Sequence, residues 1–232
     1  MFTLDKIVPW GRSFDEYCRM FLLTERDLAG RILGCADGPA SFNAEATRRG
    51  TRVVSVDPIY ALSSAEIGER ITATSQDIIE QTRQNQHEFV WTSFRSPEEL
   101  LTTRMEAMES FLADYDTGKA QGRYVTAELP RLPFDDRTFD LAVCSHFLFL
   151  YSEQLDAAFH HAAILELCRV AKEVRIFPLL ALGAIGSAHV SPIAGSFRQL
   201  GYTVGIERVP YEFQRGANKM MRIATGARRP VR

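Results

Sequence analysis

Arg31 to Pro58 reads RILGCADGPASFNAEATRRGTRVVSVDP. A short apolar strand, Arg31 to Cys35, meets a turn of small residues. A helix follows, and a second apolar strand ends at Asp57. This order sets a helix N-terminus and a carboxylate at one edge of a parallel sheet. Small residues let backbone approach a ligand closely, and an acid at the end of the second strand can accept from both hydroxyls of a ribose. The stretch therefore predicts an adenosine-type cofactor.

The rest of the chain bounds this reading. Its 232 residues suit one α/β domain, expected to span 1–232, with an insertion. A net charge of −2 provides no global field for nucleic acid. The only basic run is the tail, Arg228-Arg229-Pro230-Val231-Arg232, read as a solvated end. Cys18, Cys35, Cys144 and Cys168 form no CxxC pair and read as buried thiols of a reducing compartment. MFTLDKIVPWGRSFDEY has no charged-then-apolar signal pattern. No apolar run approaches the ~20 residues of a membrane span. A cytoplasmic chain with no membrane or nucleic-acid partner is expected.

Ser13 and Glu16 form a capping box ahead of apolar positions at helical spacing, so 13–23 is a predicted helix. A second short helix starts at Thr24, and residues 1–30 read as a helical cover. Helix 41–49 ends at Gly50, a C′ glycine. About 60 residues then separate strand 52–57 from strand 123–127, against roughly 20–30 for a plain crossover. Helix starts at Ser63/Ser64, Ser75 and Ser96-Pro97-Glu98-Glu99, with a stop at Asp116-Thr117-Gly118, make 61–122 a helical cap insertion. Phe139 to Ser145 is apolar on both faces, as a central parallel strand is. A helix at 153–170, a strand at 173–179 and a helix at 190–200 precede two strands, 202–209 and 220–224. A short loop holding Gly216 and Asn218 joins these two as an antiparallel pair. The fold class is α/β: a Rossmann-like, doubly wound, mostly parallel sheet with an antiparallel C-terminal strand pair and a helical insertion after strand 2.

Three pieces together resemble the class I, Rossmann-like S-adenosylmethionine-dependent methyltransferases, including uncharacterised bacterial members. One is the turn Gly34-Cys35-Ala36-Asp37-Gly38-Pro39-Ala40 with Asp57. Another is Glu128-Leu129-Pro130-Arg131-Leu132-Pro133-Phe134, continuing into Phe139-Asp140-Leu141-Ala142-Val143-Cys144. The last is the terminal strand pair. The resemblance implies S-adenosylmethionine as cofactor, bound by Gly34, Cys35, Ala36, Asp37, Gly38, Asp57, Pro58, Glu128, Leu129, Ser145 and Arg12. The family has an acid where this chain has Gly34, and glycines at Ala36 and Ala40. Asp37, three residues after Gly34, could take over the missing acid's role beside the methionine amino group.

The chemistry of these residues agrees. An acid in the turn repels phosphate and suits a cationic amino group, which favours S-adenosylmethionine over a dinucleotide. A carboxylate at Glu128 can accept from an adenine amino group while the backbone serves a ring nitrogen. Arg12, in Trp10-Gly11-Arg12, suits a carboxylate. Ser145-His146-Phe147 lies at the carboxyl edge of the sheet, where His146 is either a structural residue or the catalytic base for a small-molecule acceptor. Phe147, Phe149 and Tyr151 read first as core. His160 and His161 point about 100° apart on a helix, so no metal site is expected. Two other readings stand beside methyl transfer: a non-catalytic binding scaffold or sensor, and a nicotinamide-dependent oxidoreductase.

Overall fold

The computed structural model describes residues 8–224, and the arginine-rich tail lies outside them. In chain order the elements are α1 (Phe14–Phe21), α2 (Glu25–Ala29), β1 (Arg31–Cys35), α3 (Phe42–Arg48), β2 (Arg52–Val56), α4 (Ser64–Gln84), α5 (Pro97–Ala120), β3 (Tyr124–Val125), β4 (Phe139–Ser145), α6 (Ala157–Val170), β5 (Ala171–Phe177), β6 (Leu180–Ala181), β7 (Ile185–Gly186), α7 (Val190–Gln199), β8 (Thr203–Arg208) and β9 (Lys219–Ala224). Seven strands form one sheet in the order β3-β2-β1-β4-β5-β9-β8. β1 to β5 run parallel, and β9 runs antiparallel to both its neighbours. This is the mostly parallel, doubly wound sheet with an antiparallel terminal pair that the sequence predicts.

Register positions the site. Cys35 at the end of β1 is level with Val56 of β2 on one side and Cys144 of β4 on the other. The residues that follow, Ala36, Asp57 and Ser145, therefore leave the sheet at one edge. The strand order reverses between β1 and β4, and ligand crevices of open α/β sheets form outside the carboxyl ends at that switch point.

Local chemistry sets the helix bounds. Ser13, Thr24 and Ser63 each cap a helix with a reciprocal Glu or Asp three residues on. Asp156 caps α6, so that helix begins later than its apolar pattern predicts. Ser75 does not start a helix. It lies inside α4 and donates back to the Thr72 carbonyl. Nor does Gly118 end α5: a Cβ there would lie 2.7 Å from Tyr124 Cδ2, so this glycine lets the helix press on the Tyr124 ring. β3 is two residues, shorter than its predicted five, because the chain turns away after Val125. Within 61–122, α5 packs on α3 and β3 at the face of the sheet, and α4 packs on α5.

A buried ion pair ties three distant segments together. Arg104 of α5 meets Glu16 of α1 through both terminal nitrogens, and the Tyr211 hydroxyl donates to Glu16 Oε1 at 2.8 Å. Both charged residues are 1% exposed. Burial alone would raise the Glu16 carboxyl, but Arg104 and the Ser13 backbone override it and hold it at about 2. Its contribution to stability is therefore present above its unfolded value and is lost as pH falls toward 2. Glu16→Gln strands a buried guanidinium. It is expected to cost about 3–5 kcal/mol in urea unfolding.

Candidate functional site

A cavity of about 540 Å³ opens at the switch point. Eleven of the twelve residues singled out in the sequence line it: Arg12, Cys35, Ala36, Asp37, Gly38, Asp57, Pro58, Glu128, Leu129, Ser145 and His146. Gly34 does not. It lies within β1, beneath the Asp37 side chain.

The turn is built around Asp37. Its Oδ1 accepts from the Tyr17 hydroxyl at 2.8 Å and its Oδ2 from the Ser55 hydroxyl at 2.7 Å. A Cβ at position 34 would overlap Oδ2 and sit 2.6 Å from Asp37 Cγ. Position 34 must therefore be glycine while Asp37 occupies this space. Burial pushes the Asp37 carboxyl up to about 7, against the pull of Ser55 and Tyr17, and nearby Asp57 adds to the rise. Ala36 takes φ +55°, a left-handed conformation that a glycine would adopt without strain.

Asp57 closes the turn from the next strand. Its Oδ2 accepts from Gly38 N and its Oδ1 from Ile59 N, both at 2.9 Å. Each oxygen keeps a further acceptor site. Burial raises this carboxyl, and the two backbone N–H groups oppose the shift.

The N-terminal segment is clamped onto the same turn. Ser41 N donates to Arg12 O at 3.0 Å, and a Cβ on Gly11 would overlap the Pro39 carbonyl. Tyr17 and Phe14 stack on Phe42 of α3, which fixes α1 beside the cavity. Arg12 is half-buried. One N–H reaches the Trp10 carbonyl at 3.0 Å, while Nε is buried with no hydrogen-bond partner, and no carboxylate pairs with it among the described residues. Burial, and then Arg104, lower its pKa.

His146 follows Ser145 at the end of β4, with φ +52°. Its backbone N donates to the Phe177 carbonyl at 2.7 Å, and its Nδ1 pairs with Ser145 Oγ at 2.9 Å. Burial, then Arg12 and Arg104, hold the ring well below the usual histidine range. The ring therefore stays neutral at physiological pH. Phe147 and Tyr151 line the cavity, whereas Phe149 is fully buried. His160 is structural: its Nε2 accepts from Phe149 N at 3.0 Å, and its Nδ1 lies 2.7 Å from the Asp156 carbonyl. Among the described residues, no three His, Cys, Asp or Glu side chains gather as a metal site. No helix among them is long and apolar enough to cross a membrane.

Tyr17, Ser55 and Arg70 belong to the site's surroundings and were not predicted. Tyr17 reads as one more apolar position of α1. Ser55 did leave a signal, as the lone hydroxyl in the run Val53-Val54-Ser55-Val56.

Sheet order, terminal strand pair and the placement of the turn and Asp57 define a Rossmann-like, doubly wound α/β fold. No family model matches the chain. It is 36% identical over 221 residues to the uncharacterized protein MJ0045 of Methanocaldococcus jannaschii, covering 94% of this chain and 96% of that one. The chain belongs to the same family as that archaeal protein. Similar solved structures include the PH0226 protein from Pyrococcus horikoshii, 14% identical over 91% of this chain and 88% of that one, TM-score 0.46. A SAM-dependent methyltransferase from Aquifex aeolicus is also 14% identical, over 90% of each chain, TM-score 0.42.

Two outcomes check this geometry. Gly34→Ala should destabilise the protein, and adding Asp37→Ala should relieve part of that loss. Urea unfolding should show a coupling of at least about 1 kcal/mol between the two sites. The His146 ring should show no titration between pH 6 and 8 in an NMR pH series. A midpoint inside that window would contradict its surroundings as described.

Proposed function

We propose that this protein is an S-adenosylmethionine-dependent methyltransferase acting on a small molecule. The observation that carries the reading is the buried Asp37 carboxyl in the turn between β1 and α3. A dinucleotide would place its pyrophosphate against such a turn. A carboxyl held there by two hydroxyl donors opposes phosphate and favours an ammonium group.

The other residues fit the same cofactor. Asp57 would take the ribose hydroxyls with its remaining acceptor sites. Glu128 and the Leu129 backbone would meet the adenine, beside the apolar walls of Ile59 and Leu155. Asp37 would take the amino group and Arg12 the carboxylate, which gives its unpaired Nε an acceptor. When bound, the cofactor supplies a methyl group on a sulfonium, open to in-line displacement. The protein's part is then to orient, exclude water and accept a proton. His146, neutral and held by Ser145, can take a proton from an acceptor hydroxyl. Residues 61–122 contribute Ala61, Leu62 and Arg70 to the cavity wall, and we read them as its cap.

Thermal-shift measurements with S-adenosylmethionine, its demethylated product and a nicotinamide dinucleotide test the class. The first two should stabilise the protein and the third should not. Stabilisation by the dinucleotide alone would overturn the reading.

Asp37 adds a pH signature. Its folded-state pKa, about 7, lies above its unfolded value, so its contribution favours folding fully below the unfolded value and is lost as pH rises through 7. An ammonium partner favours the ionised form. Cofactor affinity measured by calorimetry should therefore rise with pH up to about 7 and then level off, with a proton released on binding below that point. Moving the acid back, with Gly34→Asp and Asp37→Gly together, should retain binding that Asp37→Gly alone loses.

A further inference from the structure

A second cavity, of about 100 Å³, adjoins the first. Val8, Trp10, Arg12, His146 and Tyr151 line both, so these residues form the seam between them. The smaller cavity is walled by apolar groups from four regions, among them Ile78, Leu100, Leu150, Leu182 and Phe213. Its polar groups are few, and most are already engaged. Thr82 donates to the Ile78 carbonyl at 2.7 Å, and Gln214 donates to the Ala181 carbonyl at 3.0 Å. The Glu88 carboxylate lies 3.9 Å from the His87 ring.

The exceptions are two guanidinium groups. Arg104 is 1% exposed, and its terminal nitrogens are held by Glu16 and Tyr211, but its Nε is buried with no partner. Arg12 Nε is in the same condition. The cofactor carboxylate would serve Arg12 Nε, which leaves Arg104 Nε as a buried N–H donor on a cation that still lacks an acceptor oxygen. Glu16 pairs directly with Arg104 and acts on Arg12 at longer range. At the seam, burial and then Arg12 and Arg104 lower the His146 ring.

We infer that the smaller cavity seats the methyl acceptor, and that the acceptor is a compact, largely apolar molecule carrying a carboxylate received by Arg104, with Arg12 adding its charge. Calling the ligand an acceptor rests on the methyltransferase reading, whereas the carboxylate seat rests on Arg104. The cavity is smaller than the roughly 150 Å³ that takes a benzene ring, so the portion it encloses is narrow or short. The reactive end of the molecule then faces the seam at His146, where the larger cavity begins. Placing a carboxylate against Arg104 fixes which end of the acceptor points there. A neutral analogue of the same shape leaves the Nε donor unpaired and is rejected.

The test is an NMR titration with butyrate against butyramide, run on the cofactor-free protein and on protein saturated with S-adenosylhomocysteine. Butyrate should bind at least tenfold more tightly than the amide. Leu182→Trp, which fills the smaller cavity, should abolish butyrate binding while leaving S-adenosylhomocysteine affinity unchanged. Arg104→Lys, which keeps the charge beside Glu16 but lacks Nε, should weaken butyrate at least threefold. If this variant does not fold, Leu182→Trp still decides. Equal binding of acid and amide, or butyrate binding that survives Leu182→Trp, would overturn the inference even if S-adenosylhomocysteine binds. Butyrate selectivity without any S-adenosylhomocysteine binding would keep the carboxylate seat and remove the methyltransferase reading.

Discussion

A single carboxyl group organises the site. Asp37 lies over β1, where a side chain at position 34 would otherwise stand, and it is held by a hydroxyl from α1 and a hydroxyl from β2. Each consequence follows from that seat. Position 34 must lack a Cβ. Tyr17 must reach the turn, so α1 must pack on α3, and the segment before it must cross Pro39 with a glycine at position 11. The N-terminal helix is thus a wall of the cavity and not a loose appendage.

The second organising feature is the cationic pair above that turn. Arg104 is neutralised by Glu16, whereas Arg12 has no carboxylate partner among the described residues. They add to the burial that keeps His146 neutral, and the Nε of each is a buried donor without a partner. The site therefore has an acidic end at Asp37 and Asp57 and a basic end at Arg12 and Arg104. That polarity matches a cofactor with a cationic amino group next to a carboxylate, and it sets the charge of whatever enters beside it.

The fold was legible because its signals are local. A strand that is apolar on both faces, a turn of small residues and reciprocal caps at Ser13 and Ser63 each depend on neighbours in sequence. So were Asp57 and His146, because strand ends in an open sheet converge on one edge. The parts that stayed hidden depend on long-range contact. Arg104 is one of several charged residues on α5, and only the folded chain brings it to Glu16, 88 positions away. Gly118 reads as a helix stop because glycine is a common one. Its actual partner is the Tyr124 ring, which no local pattern reveals. Ser75 reads as a cap because serine is, but the apolar stripe of Ile67, Ile71, Ile78 and Ile79 carries α4 straight through it.

The central claim is that Asp37 is the receptor for a cationic amino group. A crystal structure of the protein with S-adenosylmethionine tests it most directly. The account predicts the amino nitrogen within hydrogen-bond distance, about 2.7–3.2 Å, of an Asp37 carboxylate oxygen, with Asp57 on the ribose. A bound cofactor whose amino group lies away from Asp37, leaving that carboxyl bonded to Tyr17 and Ser55 alone, would contradict it.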